Sequence, residues 1–223
     1  MAKTRGILEP VSGPVGPVSY GSWKGIPWVR IRKPKTKKKR KRTEAQIANQ
    51  EKFNYVNWFL KPFHQYLNIG FKNEAVQKTE ISAAFSVVFH QAVVGKYPNL
   101  SIDYSKVKIS TGPLPPLHEV TMKLIAPNVI ELNWPTNPNR EARHNDQLML
   151  VIYCPEMHKT DGFAGQANRN LKKYTFEFNS KMVGKVLEVY IAVTSFERNK
   201  ISESQYLGKI TPLNNQQGQL SMF

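Results

Sequence analysis

The chain has 223 residues, 40% of them hydrophobic and 11% aromatic, with a formal net charge of +16. That length fits one domain or two small ones, and the apolar share supports a packed core, which excludes general disorder. No run approaches the roughly 18 consecutive apolar residues of a membrane-spanning helix, so no integral helical membrane association is expected.

The charge is concentrated. Residues 1–45 carry 13 Lys/Arg against Glu9 and Glu44, net +11, whereas the remaining 19 Lys/Arg face 14 acids, net +5. Within that first fifth, Arg30, Arg32, Lys33, Lys35, Lys37, Lys38, Lys39, Arg40, Lys41 and Arg42 form a block with no acid among them. Such a block repels itself and cannot enter a core, so it is solvated or faces a polyanion.

In chain order, residues 1–42 read as an extended basic arm. Pro10, Gly13, Pro14, Gly16 and Pro17 remove helix propensity and backbone donors, so regular structure is not expected before about Val18. Trp28, Arg30 and Arg32 then alternate with Val29 and Ile31 as in a short strand. Glycines beside Trp23 and Trp28 suggest a tight turn presenting large rings. Trp23, Lys24 and Trp28 are therefore candidates for anchoring the arm or contacting a partner. No apolar leader opens the chain, so a cytoplasmic location, or association with a larger particle, is expected.

Thr43-Glu44-Ala45-Gln46 has the form of a capping box and predicts a helix start. Phe53, Val56, Leu60, Phe63 and Leu67 follow at spacings of three and four, with Pro62 predicted to kink or break the helix and Gly70 to end it. A second stripe runs through Ile81, Phe85, Val88, Phe89 and Ala92, closed by Gly95 and Pro98. Val107 and Ile109 alternate with lysines, predicting a terminal strand. Pro113, Pro115 and Pro116 make a rigid connector and the best candidate domain boundary.

Beyond it, strand-like runs are predicted near 119–125, 128–134, 147–154, 172–178, 186–196 and 204–211. Several short strands with no helical period describe a two-sheet sandwich, and a lone Cys154 excludes an immunoglobulin disulfide. The expected fold class is α+β: an extended basic N-terminal arm, two amphipathic helices and a fibronectin-III/immunoglobulin-like β-sandwich. The expected organisation is a 1–42 arm, a 43–112 helical region with a terminal strand, a 113–213 sandwich and a 214–223 flexible tail. Leu220, Met222 and Phe223 in that tail could dock on a partner.

Signals for chemistry are sparse. His64, His90, His118, His144 and His158 form no metal-ligand spacing with Cys154, and no nucleophile elbow or phosphate loop is present. Cys154 reads as a buried structural thiol. No catalytic residue, metal or cofactor is expected; a polar cleft around His144 or His158 would revive an enzyme. The basic block would release counterions from phosphates without reading sequence. RNA, DNA, an anionic lipid surface or an acidic neighbour would each satisfy it, and nucleic acid leads. The competing expectation is a structural or assembly protein, phage-like or of another particle, whose arm and sandwich contact neighbouring copies in a homo-oligomer or larger assembly.

Ser12-Gly13-Pro14-Val15-Gly16, then Gly21-Ser22-Trp23-Lys24-Gly25 and Arg30, resemble the start of an uncharacterised bacterial family of unknown function, of the Bacteroidetes type. The similarity continues through Arg42-Thr43-Glu44-Ala45-Gln46, Phe59-Leu60-Lys61-Pro62, Tyr97-Pro98-Asn99 and Ile102-Asp103-Tyr104-Ser105-Lys106-Val107. It implies a shared whole-chain architecture and a non-secreted bacterial protein, and no activity. Family members carry a less charged stretch where this chain has Lys37-Lys38-Lys39-Arg40-Lys41, so the resemblance attaches more to the Gly-Ser-Trp-Lys-Gly element than to the basic block.

Overall fold

A computed structural model describes residues 2–3, 12–33 and 41–211. The chain divides into two compact units, 1–44 and 45–223. In the first, Ala2–Lys3 (β1), Gly13–Val15 (β2), Val18–Trp23 (β3) and Ile26–Ile31 (β4) form one antiparallel sheet in the order β1-β4-β3-β2. Over residues 13–31 this meander replaces the expected extended arm. Its turns explain why: Gly16 takes φ +57° between β2 and β3, and Lys24 and Gly25 take +49° and +73° between β3 and β4. Positive φ at the first central position alone, as at Gly16 before Pro17, or at both, as at Lys24 and Gly25, marks the two-residue hairpin turns whose twist matches their strands. The Pro/Gly composition that suggested irregular chain instead supplies the corners.

Helix Glu44–Leu60 (α1) begins at the last residue of the first unit and runs into the second, followed by a 3-10 turn at Lys61–Phe63 and His64–Gly70 (α2). Pro62 therefore breaks the stripe into two helices, as its missing N–H requires. Gly70 is the last residue of α2, and packing requires glycine there: a Cβ would stand 2.1 Å from the Ile109 carbonyl oxygen. Glu80–Gln91 (α3) is capped by Thr79, whose Oγ1 accepts from the Ser82 amide at 3.1 Å.

Two local expectations change here. Val93–Lys96 (β5) and Asn99–Ile102 (β6) form a hairpin where only a helix end was foreseen. Residues 107–111 bury Val107 and Ile109 without forming a strand. Their backbone bonds go elsewhere: Ile109 N–H donates to Ser204 Oγ and Thr111 N–H to the Gly70 carbonyl, each at 3.0 Å. Alternating burial arises without a ladder when individual amides find separate partners.

The sandwich strands are Thr121–Ala126 (β7), Val129–Asn133 (β8), Gln147–Cys154 (β9), Lys159–Asn168 (β10), Lys173–Glu177 (β11), Leu187–Thr194 (β12) and Gln205–Ile210 (β13). They pair antiparallel in a three-stranded sheet, β11-β8-β7, and a four-stranded sheet, β10-β9-β12-β13. Six strands fall where the sequence places them, and β10 is the addition.

The four-stranded sheet is covered on both faces. Leu148, Leu150 and Ile152 of β9 and Leu187, Val189, Ile191 and Val193 of β12 face Ile130 and Leu132 of the other sheet. The intervening Met149, Val151, Tyr153, Tyr190 and Ala192 pack against Val56, Phe59, Phe63, Leu67, Ala84 and Val88 of the helical layer. The result within this unit is three layers, helices over sheet over sheet. Pro113, Pro115 and Pro116 lie between the helices and the sandwich strands in sequence, inside this unit.

Candidate functional site

Four of the expected site residues that the structure describes, Trp23, Lys24, Trp28 and Arg30, lie on the N-terminal hairpin. Strands β3 and β4 pair Ser19 with Arg30, Gly21 with Trp28 and Trp23 with Ile26. Directly paired residues share a face, so Trp23, Trp28 and Arg30 stand on one side of the sheet. Val15, Val18, Tyr20, Val29 and Ile31 take the other.

Trp28 lies across its partner strand because position 21 has no side chain. A Cβ on Gly21 would sit 2.3 Å from Trp28 Cζ2, well inside contact distance. The Arg30 guanidinium then rests 5.3 Å from the Trp28 ring centroid. Lys24 places its ammonium 5.4 Å from the Trp23 ring, and Trp23 is 42% exposed. Cations at these separations are attracted to the ring faces by about 0.5–1 kcal/mol at exposed sites. Each tryptophan thus has a cation beside its ring.

Arg32 and Lys33 continue from β4 into solvent, with the Arg32 amide donating to the Pro17 carbonyl at 2.8 Å. Lys41 and Arg42 are exposed immediately before α1. Lys35, Lys37, Lys38, Lys39 and Arg40 lie outside the described residues, as does the expected 214–223 tail. Among the described residues of this unit, Glu44 is the only acid.

The second unit holds a polar node that the sequence does not announce. Buried Asp146 accepts from Arg169 Nε at 2.9 Å and from the Arg143 amide at 3.0 Å through the same Oδ2. Arg169 also donates to the carbonyls of Pro115 and Pro116, and its own carbonyl accepts from Trp134 Nε1 at 2.8 Å. Burial pushes the Arg169 guanidinium below its ordinary value, and the Asp146 hydrogen bond and charge oppose that. Asp146 Oδ1 has no hydrogen-bond partner. Since the guanidinium is shared among one carboxylate and two carbonyls, the node ties the proline connector to the sandwich.

A cavity of about 270 Å³ adjoins that node, lined by Trp134, Arg143, His144, Arg169, Asn170 and Lys172 among others. Its ionisable walls are bases only, so no carboxylate stands there to orient His144 for proton transfer. His158 is stacked on Trp58 with ring centroids 3.8 Å apart. Burial pushes its imidazole below the ordinary value, with nearby Lys61 adding to the effect and a backbone hydrogen bond with Trp58 opposing it. Cys154 is buried on the inter-sheet face of β9, a packing position. Among the described residues, no group of three or more His, Cys, Asp or Glu could hold a metal ion. No helix of the described residues is long and apolar enough to cross a membrane.

These features define a β-sandwich protein bearing a helical layer and a separate aromatic-cationic N-terminal sheet. The chain belongs to the family of unknown function DUF6266, which matches residues 10–208 and so spans both the hairpin and the sandwich. No curated protein matches it. Among solved structures it is similar to the fn3 domain of human collagen alpha-1(XX) chain, at 13% identity and a TM-score of 0.31, covering 46% of this chain and 88% of that one. It is likewise similar to the fn3 domain of human contactin 1, at 8% identity and a TM-score of 0.28, over 47% and 87% of the two chains.

Proposed function

We propose that this is a non-catalytic binding protein, cytoplasmic and of bacterial origin, whose basic N-terminal segment holds a polyanion, most readily nucleic acid, without reading sequence. The observation that carries this reading is the charge distribution: net +11 over residues 1–45, ten cations from Arg30 to Arg42, and no acid among them. Lys and Arg that neutralise phosphates gain affinity from counterion release, which needs no base contact. The hairpin adds a second means of contact, since Trp23 with Lys24 and Trp28 with Arg30 present rings and charges on one face. The sandwich and its helices act as the rigid body that carries this segment.

Fluorescence anisotropy with a labelled oligonucleotide, run with and without residues 33–42, tests the proposal. Deletion is expected to weaken binding by at least about tenfold at 50 mM salt, given that several phosphate contacts shift affinity by orders of magnitude. Unchanged affinity would remove the proposal.

A second reading rests on the opposite face of the same sheet. Val15 is 56% and Ile31 79% exposed there. Apolar groups on the outside of a small sheet suit contact with neighbouring copies, and hence a structural protein of a phage-like or other particle. Light scattering that finds only monomer at high concentration would count against this reading and leave the first standing.

A further inference from the structure

The Asp146–Arg169 node meets a second, larger cavity of about 490 Å³. Three stretches of chain enclose it: Pro113 and Leu114 of the connector, residues 140–146 before β9, and residues 195–200 after β12. Both loops are tied to themselves. The Asp146 amide donates to the Arg143 carbonyl at 3.2 Å, and the Arg143 amide returns a bond to Asp146 Oδ2 at 3.0 Å. Ser195 Oγ accepts from the amides of Asn199 and Lys200, each at 3.0 Å, and the Ser195 amide donates to the Lys200 carbonyl at 2.8 Å. Backbone hydrogen bonds thus set these walls before anything binds.

Asp146 is 0% exposed, contributes to the cavity wall, and leaves its Oδ1 without a partner. A buried acceptor is costly to leave unmet, so this oxygen calls for a donor. That donor need carry no charge, because Arg169 already neutralises the carboxylate at 2.9 Å. Ser195, with both lone pairs taken, has only its hydroxyl hydrogen left to offer. Arg140, Arg143 and Lys200 stand exposed around the same cavity, and their side chains form no ion pair or hydrogen bond among the described residues. With Asp146 and Arg169 cancelling, the lining sets these three cations against Glu141 and Glu197, a net charge of +1.

We propose that this cavity binds a small hydroxylated anion, a sugar phosphate or a hydroxy acid. Its acidic group lies at Arg140, Arg143 and Lys200, and one of its hydroxyls donates to Asp146 Oδ1. A bare anion would leave the buried oxygen unmet, and a neutral sugar would leave the cations unanswered. The volume lies within the roughly 300–1,000 Å³ usual for small-molecule sites. Glu141 and Glu197 beside the cations repel a phosphate backbone laid across the site. The ligand therefore differs from the polyanion proposed for the N-terminal segment, and the site stands independently of that reading.

Amide chemical shifts of the full chain, followed by nuclear magnetic resonance as ribose 5-phosphate, gluconate or sulfate is added, test this. The first two carry hydroxyls on a phosphate and on a carboxylate, so their arms tell which acidic group the site prefers. At least one of them is expected to give saturable shifts at the Asp146, Ser195 and Lys200 amides. Sulfate, which has no hydroxyl, should bind there about tenfold more weakly, the worth of one hydrogen bond to a charged group. Equal affinity for sulfate would mean that water alone meets Asp146 Oδ1, and would overturn the proposal. No saturable shift with either hydroxylated compound up to tens of millimolar would do the same. Arg143→Ala/Lys200→Ala changes only exposed side chains and should leave the urea midpoint in place while weakening binding by about tenfold or more. Unchanged affinity in that variant would also overturn the proposal, and the comparison with sulfate needs no variant at all.

Discussion

The sheet β10-β9-β12-β13 and the N-terminal sheet β1-β4-β3-β2 are both four-stranded and antiparallel, yet they are built on opposite terms. In the former, every residue of β12 is buried, and so are seven of the eight residues of β9. In the latter, no residue from Ser12 to Lys33 is fully buried. A sheet sandwiched between layers needs apolar side chains on both faces, and its central strands become continuous hydrophobic runs. A sheet without such layers can carry rings and cations on one face and aliphatics on the other. The difference separates a part of the molecule fixed by burial on both faces from a part held by backbone pairing and turns.

The buried sheet should be the sensitive one. Asp146 precedes β9, and its Ala variant would leave the Arg169 guanidinium buried and unpaired at a cost of about 3–5 kcal/mol. Urea unfolding measures this, and replacing both residues with apolar ones should recover much of the loss. Leu150→Ala, facing the second sheet, and Met149→Ala, facing the helices, should each cost about 2–5 kcal/mol. A cost below about 1 kcal/mol for Met149→Ala would mean that the helical layer does not pack tightly.

Gly21→Val should disturb the hairpin by about 1–3 kcal/mol, the usual cost of overpacking, because the new side chain meets the Trp28 ring. The change should appear in near-ultraviolet circular dichroism and tryptophan fluorescence. Trp23→Ala should change stability by less than about 0.5 kcal/mol, as expected of an exposed side chain. It should still weaken oligonucleotide binding.

The helix-facing side of the buried sheet also predicts an alkaline response. Burial, with the nearby Asp161 charge adding to it and a Gln65 hydrogen bond opposing it, pushes Tyr66 up to about 12. Burial likewise raises Tyr153 and Tyr190, with neighbouring tyrosines and, for Tyr190, Glu188 adding to the effect. Unfolded tyrosines ionise near pH 10 while these stay protonated in the native state, so the unfolded chain binds fewer protons there. Stability should therefore be intact below about pH 10 and fall as pH rises past it. His158 acts at the other end: its depressed value means that stability is full above about pH 6.5 and declines as pH falls below it. Unfolding midpoints taken from pH 5 to 11 check both signs.

Much of this architecture was readable from periodicity, and the misses have physical causes. Leu148 to Tyr153 announces a central strand because both its faces are buried. Its partner β10 reads Lys-Thr-Asp-Gly-Phe-Ala-Gly-Gln-Ala-Asn, with few side chains to betray it, since an edge strand beside a bulge needs only backbone pairing. Val107 and Ile109 mimic a strand because their burial alternates while their amides bond separately. Pro and Gly from Gly13 to Pro17 resemble irregular chain because turn residues look alike whether or not strands flank them. The gathering of Trp23, Lys24, Trp28 and Arg30 was legible as composition. Their shared face required the Gly21–Trp28 register. The Asp146–Arg169 node left no local signal, since its members lie 23 residues apart and meet only through the fold.

The most direct test of the functional claim is the slope of log affinity for an oligonucleotide against log salt concentration. It is compared between the unmodified chain and a variant in which the eight cations from Lys33 to Arg42 are replaced by Gln. The slope should flatten by about 0.7–0.9 for every replaced cation that had reached a phosphate, several units in all. Identical slopes for the two proteins would contradict the claim that this segment holds a polyanion.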